Sequence, residues 1–173
     1  MKKFTLGLMM LLGSIVSLQS CKDEENDGMR ISSQEFTTQA ASGNMLEIQA
    51  GQLALTKASN AEVKQYGQHM VTDHTKATDE LKATAAKNNI TVPTQLTAAH
   101  QQQLNALAPL SGAEFDKAFA ALMVQSHQEQ VTLFEKATTY ADIGDFRTLA
   151  AEKLPTLKEH LTEATTLNAT VNK

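Results

Sequence analysis

From Gln34 onward, apolar residues recur at spacings of three and four, the period of a helix that buries one face. The first such segment spans Gln34 to Ala58, with Phe36, Ala40, Glu47, Ile48, Gly51 and Leu55 near one stripe. Ser59-Asn60-Ala61-Glu62 has the Ser-x-x-Glu form of a capping box and predicts the start of a second helix. Its stripe is Val63, Gly67, Met70, His74, Ala77, Leu81 and Ala85; Asn88-Asn89 can end it, and Thr91-Val92-Pro93 cannot continue it. Thr94 to Ala108 reads as one short amphipathic helix, stopped at Pro109. Ser111-Gly112-Ala113-Glu114 repeats the capping pattern. The third long helix then carries Phe115, Phe119, Leu122, Met123, Ser126, His127, Gln130, Phe134 and Ala137. Asp142-Ile143-Gly144-Asp145 makes a turn, and the fourth carries Phe146, Leu149, Leu157, His160, Leu161, Ala164, Leu167 and Val171. Pro155, inside that last helix, removes a donor to the Ala151 carbonyl and either bends the helix or breaks it.

No segment alternates with strand period. Short turns make helices one and two, and three and four, antiparallel hairpins. The connection between the hairpins crosses either the bundle end or its full length. The expected fold is all-α: a four-helix bundle with a short crossover helix between helices 2 and 3, among the ferritin-like arrangements.

Residues 1–33 read differently. Lys2 and Lys3 precede a mostly apolar run from Phe4 to Gln19, too short to span a membrane and laid out as a secretory signal. The one cysteine, Cys21, follows Leu18-Gln19-Ser20, which resembles a bacterial lipobox; the resemblance implies cleavage before Cys21 and lipid attached to it. Lys22-Asp23-Glu24-Glu25-Asn26-Asp27 looks like either a surface-export signal of gram-negative lipoproteins or a solvated tether. The organisation expected is therefore a signal peptide over 1–20, a lipidated cysteine and acidic tether over 21–33, and the bundle over 34–173. The implied location is the cell envelope, anchored to the outer membrane and facing the periplasm or the surface.

Composition narrows the function classes. A net charge of −4 offers no basic footprint for nucleic acid. Cleavage at Cys21 would remove two lysines and no acidic residue, so the membrane partner is engaged by lipid, not by attraction to anionic headgroups. A single cysteine excludes a disulfide framework and a cysteine-rich zinc site. GxSxG, P-loop, HExxH and dinucleotide motifs are all absent.

What remains is a set of polar residues on inward stripes. Glu47, His74, His127 and His160 lie one per long helix. Counted from the turns, their heights differ by roughly 5–6 Å, about one helical turn. Imidazole and carboxylate suit zinc, iron, nickel or oxidised copper, so the four are candidate ligands of one transition-metal ion. The competing readings are a Glu–His hydrogen-bond network that sets helix register and a pH-sensitive core. Met70 and Met123 each stand four before a histidine, a spacing that shares a helix face and would suit reduced copper. Asp73 either pairs with exposed His69 or orients His74. His100 reads as a surface residue, and Asp116 as a first-turn acid complementing its own helix dipole.

Asn44-Met45-Leu46-Glu47-Ile48, Met70-Val71-Thr72-Asp73-His74, Phe115-Asp116, Gln125-Ser126-His127 and Leu154-Pro155-Thr156-Leu157-Lys158-Glu159-His160-Leu161 together resemble the bacterial family called domain of unknown function 4142 (DUF4142). The resemblance covers about residues 34–170. It implies a ferritin-like bundle and an exported or outer-membrane protein, and it assigns no activity. Di-iron chemistry is disfavoured, because Val71 and Leu157 stand where Glu-x-x-His motifs would need glutamates. The reading placed first is a non-catalytic envelope module with no catalytic residue. A metal-binding bundle using Glu47, His74, His127 and His160 for zinc, copper or iron is the alternative, and a redox enzyme comes last.

Overall fold

The computed structural model describes residues 30–173. The signal-peptide and Cys21 assignments, and most of the tether, lie outside the described residues. Five helices follow one another: α1 (Ser33–Lys57), α2 (Ala61–Lys87), α3 (Ala98–Leu107), α4 (Gly112–Tyr140) and α5 (Gly144–Val171). None of them is long and apolar enough to cross a membrane. The fold is all-helical, as the periodicity predicts.

α1 pairs with α2 and α4 with α5 as antiparallel hairpins, while α1 also lies against α4 and α2 against α5. The end of α2 meets the start of α5, where Asn88 Nδ2 donates to Asp145 Oδ2 at 3.0 Å. The turn between α1 and α2 meets the start of α4, where Ser59 N donates to Asp116 Oδ1 at 3.1 Å. The crossover must therefore run the full length of the bundle, and α3 packs on α1 and α4 along that path.

The helix starts differ from the capping boxes read in the sequence. α2 is capped by Asn60, whose Oδ1 accepts from Glu62 N at 2.7 Å. Ser59 is released from that role because Asp116 reaches over from α4 and accepts from Ser59 N, Ser59 Oγ and Asn60 N. Asp116 thus serves the orphan donors of a neighbouring helix start, not the dipole of its own helix. Ser111 makes no side-chain cap either; Gly112 follows it at φ 61°, a left-handed conformation that favours glycine. Asp142 makes a similar clasp at the other end, accepting from Ser33 N at 2.8 Å and from Ser33 Oγ. Ile31 is buried and bridges to Ala141, so the domain begins before Gln34, inside the stretch read as tether. α5 continues through Pro155 without ending.

Two apolar cores fill the bundle. One, at the α1–α2 turn end, gathers Leu46, Ala50, Ala54, Met70, Phe119 and Met123. The other, at the opposite end, gathers Phe36, Ala40, Leu81, Phe134, Phe146 and Leu149. α1 presents Leu46, Ala50 and Ala54 inward, whereas Ile48 is only partly buried and Leu55 is exposed. The face is rotated from the expected stripe because α1 crosses α2 at small residues: a Cβ on Gly51 would lie 2.5 Å from the Gly67 carbonyl oxygen. Between the two cores lies a belt of buried polar residues that includes Asn44, Glu47, His74, Ser126, His127, Gln130 and His160.

Candidate metal centre

α2, α4 and α5 each deliver one buried histidine to this belt. The ring centroids of His74, His127 and His160 stand 5.6, 5.4 and 5.3 Å apart, a nearly equilateral triangle. One ring nitrogen from each lies within 4.8 Å of those offered by the other two.

Hydrogen bonds on the far side of each ring set the tautomers. His74 Nδ1 donates to Asn44 Oδ1 at 3.0 Å, an amide oxygen that can only accept. His127 Nδ1 donates to the Met123 carbonyl at 2.8 Å. His160 Nε2 donates to Asp73 Oδ2 at 3.0 Å. A neutral imidazole has one N–H and one lone pair. The lone pairs therefore fall on His74 Nε2, His127 Nε2 and His160 Nδ1. All three of these nitrogens are buried and have no hydrogen-bond partner among the described residues. Orphaned buried acceptors are rare and costly, and here three of them sit on three rings packed in one triangle.

The surroundings hold His74 and His127 in that state. Burial pushes His74 and His127 down to about 4, with the nearby carboxylate of Glu47 opposing the shift at His74, so both are neutral at pH 7. Glu47 is itself fully buried; Ser126 Oγ donates to its Oε1 at 2.8 Å, and its Oε2 lies 3.0 Å from His74 Nδ1. Tyr66 donates to the His160 carbonyl at 3.0 Å, and burial, reinforced by Glu47 and Glu163, pushes its phenol upward so that it stays protonated. A cavity of about 160 Å³ borders His74 and His160, with Asn44 and Asp73 on its polar side and Leu81, Phe134, Leu149 and Leu157 on its apolar side. The Lys153–Glu80 ion pair lies along its wall.

The four residues proposed as ligands from the sequence all reach the belt, in two different positions. The three histidines face one another. Glu47 stands behind His74, on the Nδ1 side, and contributes no atom to the converging group. Asp73 orients a histidine, and that histidine is His160 on the neighbouring helix, not His74 on its own. Met70 and Met123 sit in the apolar core; Met123 contributes through its backbone carbonyl. His100 is partly buried and ties α3 to α1 through Ser42 Oγ at 2.7 Å, where a surface position was expected. Asn44 is a site residue that the apolar stripe does not single out. Its signal was a polar side chain one turn before Glu47 on an inward face.

The comparisons with known proteins agree with this architecture. The chain resembles CopM, solved in its Cu(II)-bound form, at 19% identity and a TM-score of 0.68, covering 82% of this chain and 98% of that one. It also resembles a DUF305 protein from Streptomyces coelicolor at 12% identity and a TM-score of 0.67, covering 82% of this chain and 93% of that one. At such identities the likeness speaks for the helical fold alone. No curated protein matches the sequence. Residues 19–167 match the family described as Domain of unknown function (DUF4142), and the chain belongs to that family.

Proposed function

We propose that this DUF4142 protein is an exported, lipid-anchored bundle that holds one divalent transition-metal ion between His74, His127 and His160, without catalytic turnover. Two observations carry the reading: three buried histidines each keep one ring nitrogen with no hydrogen-bond partner among the described residues, and the same three residues can each offer a ring nitrogen within 4.8 Å of the others. A cation is the natural partner for three such lone pairs. Ligand nitrogens on one tetrahedral zinc ion stand about 3.4 Å apart, so drawing in from at most 4.8 Å takes small side-chain shifts. The far-side bonds to Asn44, Met123 O and Asp73 are of the kind that orient metal-ligating histidines and fix the ligating nitrogen. Glu47 adds a buried carboxyl beside the group without entering it.

An all-imidazole set favours zinc or oxidised copper over ions that prefer oxygen ligands. CopM, similar in fold, is known in a Cu(II)-bound form, which makes copper the first ion to try. Lipid attachment at Cys21 and an envelope location are part of the same proposal and rest on the Leu18-Gln19-Ser20-Cys21 pattern. A purely architectural belt accounts for the interhelical bonds Asn44–His74, Asp73–His160 and Ser126–Glu47. It leaves the three free nitrogens unexplained.

The test is elemental analysis of the untagged protein beside a His74→Ala/His160→Ala variant. Near-stoichiometric metal in the first and none in the second is the expected result. No metal in either, after reconstitution with copper, zinc and iron, would return the histidines to an architectural role.

A further inference from the structure

His160 belongs to a second group as well. Its Nε2 stands 3.0 Å from Asp73 Oδ2, and His69 Nε2 stands 3.1 Å from the same oxygen. His69 Nδ1 lies 3.4 Å from Glu163 Oε2, and the rings of His69 and His160 are 5.0 Å apart. One donor atom each from His69, Asp73 and His160 falls within 4.8 Å of the others, so this group too can hold a cation. Its exposure is different: the side chains of His69, Asp73 and Glu163 keep 45%, 33% and 40% of their surface. A groove between α2 and α5 runs past His69 and Glu163 to solvent. The inner nitrogens, by contrast, are themselves buried.

We infer that His69, Asp73 and Glu163 form an outer loading site for a divalent transition-metal ion, which reaches the inner trihistidine site by transfer across His160. The inference rests on the metal-binding reading above. A neutral imidazole has a single lone pair, so His160 serves the outer group through Nε2 or the inner group through Nδ1, never both. The two sites are alternatives for one ion. Moving the ion inward exchanges His69 and Asp73 for His74 and His127. The one ring proton of His160 leaves Nδ1 and returns at Nε2, where Asp73 accepts its hydrogen bond, so the ring ends as neutral as it began. The carboxylates of Asp73 and Glu163 supply the attraction that gathers the cation at the groove.

The experiment measures loading of the metal-free protein with Cu²⁺ and Zn²⁺ by stopped flow, alongside equilibrium stoichiometry. Wild type is expected to take one ion per chain. His69→Ala/Glu163→Gln alters only exposed side chains; it should keep that stoichiometry and load slower by about tenfold or more, as lost electrostatic gathering predicts. His74→Ala/His127→Ala should retain one weaker ion, and adding His69→Ala should abolish it. Unchanged loading in the outer variant, two ions per wild-type chain, or no residual ion in the inner variant overturns the inference and leaves the inner site standing. A wild type that takes no ion at all overturns both.

Discussion

His127 separates a metal ligand from an architectural histidine, because its ring is fully buried and its Nε2 has no partner among the described residues. Consider His127→Leu, a replacement of similar volume. In metal-free protein it forfeits the Nδ1 bond to the Met123 carbonyl, worth about 1 kcal/mol, and removes an unsatisfied nitrogen whose burial costs about 1–3 kcal/mol. The difference leaves the metal-free variant anywhere from about as stable as wild type to about 2 kcal/mol more stable. With metal the outcomes diverge. At one hundred times its dissociation constant an ion adds about 2.7 kcal/mol to the native state. A domain of this length shifts by about 3–4 °C per kcal/mol, so wild type should gain about 8–11 °C in Tm and the variant close to nothing. Differential scanning calorimetry in chelator-treated buffer, with and without Cu²⁺ or Zn²⁺, reads both quantities. A metal-free loss of about 3 kcal/mol or more, the size seen when a buried pair is broken, together with no metal shift in wild type, would refute the reasoning.

Acid should act on the same residues. His74 and His127 fall from an ordinary 6.5 to about 4, so between those values the unfolded chain binds protons that the folded chain refuses. Stability is then fully present above about pH 6.5 and declines toward pH 4, by up to about 1.4 kcal/mol per unit for each ring; urea midpoints of metal-free protein should show the slope, and His74→Leu/His127→Leu should flatten it. Asp116→Ala strands the backbone donors of Ser59 and Asn60 and should cost about 2–4 kcal/mol in urea unfolding, a loss below 1 kcal/mol counting against the clasp. Gly51→Ala places a methyl 2.5 Å from the Gly67 carbonyl oxygen, and about 1–3 kcal/mol of destabilisation is expected, checked by the same transition. Cys21→Ser should release the expressed protein from the membrane fraction; retention there would remove the lipid-anchor proposal.

The helices were legible because periodicity reports burial, and burial is what forms them. Val63, Met70, His74 and Leu81 recur along α2 and are all buried. α1 is less legible. Its turns of Ala and Gly carry little hydrophobic contrast, so Ile48 and Leu55 drew the stripe away from the face that packs. The capping boxes failed for a different reason. A box is a local pattern, and Asp116, far away in the chain, outcompeted it for Ser59. The site followed the same division. One polar residue per helix at matching height brought His74, His127 and His160 to attention. Whether Glu47 enters the group or stands behind it depends on which side of the His74 ring it meets, and helical spacing carries no information about ring faces. The same limit hid Asp73's true partner, which lies on α5.

Local rules are broken in one layer of the bundle and kept on either side. Above and below the belt, Phe, Leu, Met and Ala fill the interior, and the one buried acid there among the described residues, Asp116, is satisfied by donors of Ser59 and Asn60. Within it, a fully buried carboxyl and three imidazoles, each with one unpartnered nitrogen, are held in place by Ser126, Asn44, the Met123 carbonyl and Asp73. A layer that only set helix register would be expected to pair its polar atoms with each other, since a half-satisfied network is less stable than an apolar one. This belt satisfies one nitrogen of every ring and leaves the other free. Departures from local consistency concentrate at functional sites, and this departure has a direction that suits a coordination shell: an acceptor binds one nitrogen of each ring, the other nitrogen keeps its lone pair, and a buried carboxyl stands behind His74.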